Sequence, residues 1–155
     1  MTRPEDLRSL ITTVTGAIHG RALDRSLEVE LDAHFPVTGP TFRAIVAACS
    51  EGIAAGWMCD REAGGIRYGR VIKPGPGTDG FSVDVVEMDD VAGPHHRHPN
   101  GEVDMIMPVT GDARFDGHGA GWLVYPAGSA HRPTVAQGKA RVLYLLPEGA
   151  IEFTK

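Results

Sequence analysis

The sequence predicts a mainly β protein, a jelly-roll barrel with a helical cap at its N-terminal end, on three observations. Apolar residues recur at helical spacing only in the first third of the chain. Beyond residue 64 they fall into short, often alternating runs, and Gly and Pro separate those runs. At 155 residues the chain fits one domain by size and is long enough to bury a core. The expected organisation is a cap over 1–64 and a barrel over 65–155, within one compact domain.

Leu7, Leu10, Ile11, Val14 and Ile18 form the first helical stripe, with Thr2 and Glu5 placed as a capping box and Gly20 as a stop. A second, short helix carries Leu27, Leu31 and Phe35 and closes at Pro36. The third opens at Pro40, where the missing N–H costs nothing, and carries Phe42, Ile45, Val46, Cys49 and Ile53 before Gly56. All three stripes read as core. Strands follow near 66–73, 81–88, 103–108, 113–115, 121–125 and 140–146, with Pro74-Gly75-Pro76-Gly77 as a loop. An antiparallel barrel of this kind offers its mouth to a small ligand.

The net charge of −5 comes with no basic block, which counts against a nucleic-acid partner. No window approaches the roughly 20 apolar residues of a membrane span. The start, Met1-Thr2-Arg3-Pro4-Glu5-Asp6, lacks an apolar signal core, so a cytoplasmic protein is expected. Cys49 and Cys59 stand outside any Cys-x-x-Cys pattern and read as reduced thiols.

The chemistry concentrates in His96, His98, Glu102 and, twenty-nine residues later, His131. Three imidazoles and a carboxylate suit one divalent transition metal ion, with Fe, Mn, Zn, Co and Ni undistinguished. Residues i and i+2 of a strand share a face, so His96 and His98 reach one ion together. Pro99-Asn100-Gly101 reads as a turn returning Glu102 to the same sphere, and Pro126-Ala127-Gly128 precedes His131. This arrangement resembles the cupin superfamily, whose motifs are His-x-His followed after three or four residues by Glu, and Pro-x-Gly-x-x-His. Gly93 stands closer to the histidines, and Gly111 further from them, than the usual glycines of the first motif.

Strand parity then puts Asp104 and Ile106 on the Glu102 face and Val103, Met105 and Met107 on the other. Asp104 is thus a candidate catalytic acid or base, or a carboxylate that orients a ligating imidazole. Tyr68, Arg70 and Tyr144 are candidate substrate-binding groups, as is Arg132, since a guanidinium fork suits a carboxylate. Trp122 and Tyr125 flank the second motif as core or as an aromatic wall. His95 is expected to point away from the ligands, His118 to be solvated in a loop, and His19 and His34 to carry no chemistry.

Four further runs extend the likeness: Cys59-Asp60-Arg61-Glu62-Ala63-Gly64-Gly65-Ile66-Arg67, Phe81-Ser82-Val83-Asp84-Val85-Val86, the stretch from Gly93 to Glu102, and Leu145-Leu146-Pro147-Glu148-Gly149-Ala150-Ile151-Glu152-Phe153. They are similar to a small bacterial family that includes the 4-hydroxylaminobenzoate lyases, over nearly the whole chain. The resemblance implies conversion of 4-hydroxylaminobenzoate to protocatechuate and ammonia, a step of nitroaromatic degradation, with a small aromatic acid as partner; the sequence leaves a homodimer open. It implies a metal acting as Lewis acid on the N–O bond, Asp104 moving protons and an arginine holding the benzoate. Fold alone leaves two other readings: a metal-dependent dioxygenase or isomerase on a small aromatic or sugar acid, and a non-catalytic ligand-binding module.

Overall fold

The structure, a computed structural model, describes residues 3–154. Helices α1 (Pro4–Ile18), α2 (Arg25–His34) and α3 (Pro40–Ala55) come first. Thr2, the expected cap of α1, lies outside the described residues; the helix opens after Arg3, whose backbone N–H donates to the Asp6 carboxylate at 2.8 Å. Asp24 caps α2 by accepting from the Leu27 N–H at 2.9 Å. Gly56, at φ +87°, ends α3 in the left-handed conformation that glycine adopts without penalty.

Ten strands follow: β1 (Arg61–Ala63), β2 (Ile66–Ile72), β3 (Phe81–Ala92), β4 (His96–His98), β5 (Glu102–Pro108), β6 (Arg114–Phe115), β7 (Gly121–Tyr125), β8 (Ser129–His131), β9 (Thr134–Pro147) and β10 (Glu152–Phe153). Every pairing is antiparallel. The large sheet runs β1-β2-β3-β9-β5-β7, with β6 also on β9, and a small sheet runs β10-β4-β8. The sheet begins at Arg61, ahead of the expected division at 64. Gly64 and Gly65 both take positive φ there, as a two-residue hairpin turn requires, and fold β1 onto β2.

Alternation along the large sheet builds two apolar layers. Val83, Val85, Val103, Met105, Met107, Trp122, Val124, Leu143 and Leu145 face outward and pack with Leu7, Ile11, Leu27, Leu31, Phe42 and Ile45 of the helices. Val86, Met88, Ile106, Leu123, Val142, Tyr144 and Leu146 face inward and fill the barrel. A strand buried on both faces needs no polar alternation, which is why β5 carries Val103, Met105, Ile106 and Met107 with charges only at Glu102 and Asp104.

Helix α2 also bonds to the rim of the sheet. Glu28 Oε1 accepts from the Val124 N–H at 2.9 Å, and Asp32 Oδ1 from the Trp122 N–H at 3.1 Å. The outward donors of edge strand β7 are thus paired with helix carboxylates, while Trp122 Nε1 donates to the Phe35 carbonyl at 2.9 Å. Trp122 belongs to the cap interface, edge-on to Phe42, and not to the barrel interior. No helix among the described residues is long and apolar enough to cross a membrane.

Candidate metal centre

His96 and His98 lie two apart on β4, so both rings leave the same face, and His131 on β8 is the direct cross-strand partner of His96. Gly101, at φ +85°, makes the turn that brings Glu102 to the start of β5. Its own N–H bonds the His98 carbonyl at 3.2 Å, and so does the Gly128 N–H at 2.8 Å, tying both motif turns to β4. The site therefore sits between the two sheets, with the imidazoles on the small one and the carboxylate on the large one.

One potential ligand atom from each of His96, His98, Glu102 and His131 falls within 4.8 Å of the others. The Nε2 atoms of His96 and His131 are each 3.0 Å from His98 Nε2, and Glu102 Oε2 is 3.1 Å from His98 Nε2 and 3.7 Å from His131 Nε2. His96 Nδ1 faces the Pro94 carbonyl at 3.1 Å and His131 Nδ1 faces Asp116 Oδ2 at 2.6 Å. Both facing groups accept only, so each Nδ1 carries the proton and each Nε2 presents a lone pair. Two lone pairs, a third nitrogen and a carboxylate oxygen thus converge on one point, a donor set that could hold a cation among them. Glu102, its side chain wholly buried, finds no hydrogen-bonding partner for either oxygen among the described residues, as expected of oxygens placed for an ion.

Burial lowers the His96 pKa to about 4, with His98 and His131 adding to the effect, so the ring is neutral and ligand-competent at neutral pH. Asp104 is fully buried on the Glu102 face of β5. Burial first, and then the Glu102 charge, raise its pKa well above the usual carboxylate range. Burial alone would raise Asp116 too, but hydrogen bonds from His131, Tyr125 and the Thr134 N–H outweigh it and hold that carboxylate ionised. The Tyr125 ring packs at 4.5 Å on His131 and is stacked at 6.3 Å over His98, so it forms a wall of the centre.

The remaining candidates are placed as follows. One rung of the large sheet runs Arg70, Asp84, Tyr144, Asp104, Leu123 across five strands. Tyr144 is buried beside Asp104 in that rung, and burial raises its pKa, with Glu102 and Asp104 adding to it. Arg70 grips Asp84 at 2.7 and 3.2 Å and the Gly149 carbonyl at 3.1 Å. Tyr68, in the next rung, is 37% exposed near the sheet edge, and Arg132 is exposed and bonds the Gly93 carbonyl. His95 pairs with Thr154, away from the centre, and His118 is exposed. Cys49 and Cys59 are free and buried, and burial pushes both thiols up to about 12. Sequence reasoning assigned nothing to Asp116, whose sole sequence cue is its place in an Asp-Gly turn fifteen residues before His131.

Both ligand motifs thus meet where the two antiparallel sheets face each other. The sequence model of the family described as PnbB, 4-hydroxylaminobenzoate lyase, matches residues 9–153. The chain belongs to that family. A relative named 4-hydroxylaminobenzoate lyase from Nocardioides sp. (strain LMS-CY) is 28% identical over 162 residues, covering 99% of this chain and 96% of that protein. One of the same name from Pseudomonas putida is 27% identical over 170 residues, covering 99% and 97%. Among solved structures, an RmlC-like cupin protein from Ralstonia eutropha is 17% identical, covers 60% of this chain and 62% of that one, and has a TM-score of 0.45. A cupin-like protein from Thermotoga maritima is 13% identical, covers 57% and 75%, and also scores 0.45.

Proposed function

We propose that this protein is a carbon–nitrogen lyase that converts 4-hydroxylaminobenzoate and water to protocatechuate and ammonia, with His96, His98, Glu102 and His131 holding one divalent transition metal ion. The observation that carries the reading is a family match running through both ligand motifs, joined by two relatives of that name that align over 99% of the chain. The converging lone pairs support the metal. When bound, such an ion supplies a Lewis acid for cleavage of the N–O bond.

The overall reaction is redox-neutral. Cleavage of the N–O bond takes its electron pair away with oxygen, water adds at the neighbouring ring carbon, and the resulting imine is hydrolysed to ammonia before the ring tautomerises to the catechol. Protons must reach the departing oxygen and leave the entering water. Asp104 suits both tasks: it is buried beside the ligands, and both its oxygens are without a hydrogen-bonding partner among the described residues. Its raised pKa favours the acid form that the first task needs. In this reading Tyr144, buried next to Asp104 in the rung, lines the ring of the substrate. On the same reading Arg70 receives the benzoate carboxylate only if that group displaces Asp84, and Tyr68, two residues away on β2, is the remaining candidate contact.

The test is to purify the protein, measure its metal content, and follow ammonia and protocatechuate from 4-hydroxylaminobenzoate. Both products should appear in equal amounts with no dioxygen consumed. Absence of ammonia from metal-replete protein ends the lyase reading, and dioxygen uptake in step with turnover replaces it with an oxygenase. Asp104→Asn should lower kcat while metal content holds; unchanged turnover removes Asp104 from the chemistry.

A further inference from the structure

The Asp116 carboxylate is bonded on all sides. Oδ2 accepts from His131 Nδ1 and from the Tyr125 hydroxyl, both at 2.6 Å, and Oδ1 accepts from the Thr134 N–H at 2.9 Å. The residue stands at the end of β6 with φ +49°, a left-handed conformation that Asp and Asn tolerate better than other side-chain-bearing residues. Its backbone N–H bonds the Thr134 carbonyl at 2.8 Å, so main chain and side chain grip the same residue of β9. Tyr125, held by that carboxylate, lays its ring on His131, and Phe115 meets His131 edge-on at 6.2 Å. The imidazole thus has its plane, its tilt and one nitrogen fixed from outside the ligand set.

We propose that Asp116 is the positioning residue of the centre: it fixes His131 in the tautomer with the proton on Nδ1, so that Nε2 always presents a lone pair to the metal. This rests on the metal reading given above. The role depends on an acceptor at Oδ2. An amide at residue 116 keeps the Thr134 N–H bonded only by turning its oxygen toward that donor, and this aims its NH2 at His131. His131 then accepts through Nδ1 and carries its proton on Nε2, which blocks the ligand position. Tyr125 is the second part of the device, since its hydroxyl and ring act on Asp116 and His131 together. A carboxylate behind a ligating imidazole commonly changes metal affinity by about 10- to 100-fold.

The experiment uses the full chain, stripped of metal, and has two readouts. Nitrogen-15 NMR of the histidine rings should show Nδ1–H for His131 in the wild type and Nε2–H in Asp116→Asn. Titration with cobalt(II) alone, followed by its visible absorption, should show one tight site in the wild type, weakened about 10- to 100-fold in Asp116→Asn. Tyr125→Phe should weaken it by a smaller factor and leave the tautomer unchanged. Wild-type protein that binds no cobalt refutes the metal centre, and the proposal with it. Wild-type protein that binds cobalt while Asp116→Asn keeps the same tautomer and affinity overturns the positioning role alone. Should Asp116→Asn fail to fold, the wild-type tautomer decides: Nε2–H on His131 overturns the proposal.

Discussion

Gly101→Ala perturbs the turn that delivers Glu102 and leaves all four candidate ligands in the sequence. Gly101 sits at φ +85°, and a methyl group there would lie 2.8 Å from Leu23 Cδ1, 2.8 Å from the Tyr125 carbonyl oxygen and 3.2 Å from the Ala127 nitrogen. The Leu23 methyl can retreat. The two backbone atoms cannot, because Tyr125 ends β7 and Ala127 lies in the second motif turn. The left-handed backbone costs an alanine about 1–2 kcal/mol, and overpacking against fixed atoms adds about 1–3 kcal/mol. The sum, about 2–5 kcal/mol, corresponds to a fall in thermal midpoint of roughly 5–15 °C for a chain of this size. Relief of the clash has to move residue 101, and residue 102 moves with it. The 3.1 Å approach of Glu102 Oε2 to His98 Nε2 should therefore be lost along with stability. The assay is thermal unfolding of metal-free protein by circular dichroism, paired with a metal-affinity titration. A midpoint within about 2 °C of wild type and an unchanged affinity would refute the account of this turn.

Other outcomes follow from the same geometry. In metal-free protein the folded-state pKa of His96, about 4, lies below the ordinary value of 6.5, so the unfolded chain binds the extra proton. Stability from this group should be complete above pH 6.5 and drain away as pH falls toward 4; His96→Gln should flatten that part of the midpoint-against-pH curve. Asp104 has the opposite sign, because its raised pKa penalises the folded state as pH rises, so Asp104→Asn should raise the metal-free midpoint at pH 7 while lowering kcat. Glu28→Ala leaves the Val124 N–H without its acceptor and should cost about 1.5–3 kcal/mol, read by denaturant unfolding. Chelation should lower the midpoint of metal-loaded wild type and leave that of His131→Ala unmoved.

Much of the site was legible because its ligands sit in short motifs, where strand parity and turn chemistry decide direction. The same parity separated Asp104 and Ile106 from Val103, Met105 and Met107, and the structure puts Ile106 in the inner apolar layer and Val103, Met105 and Met107 in the outer one, with Asp104 buried. Other parts depend on distant pairing. Strands β8 and β10 are three and two residues long and exist because β4 lies between them, which no local pattern announces. The start of β9 is masked by Gln137 and Gly138, both at positive φ, opposite a register shift between Asp89 and Val91. Asp116 was hidden because Asp-Gly in a turn is ordinary; its meaning comes only from His131, Tyr125 and Thr134 arriving around it.

The two carboxylates of α2 that close off β7 also bear on how copies of this chain can meet. A bare edge strand invites a neighbouring molecule to continue the ladder. Here the invitation is withdrawn at one rim, since Val124 and Trp122 already spend their outward N–H groups on Glu28 and Asp32. A second molecule could extend the sheet at that rim only by prising the helix away, which would uncover Leu27 and Leu31 as well. At this rim the helical cap thus occupies the positions that a further strand would need.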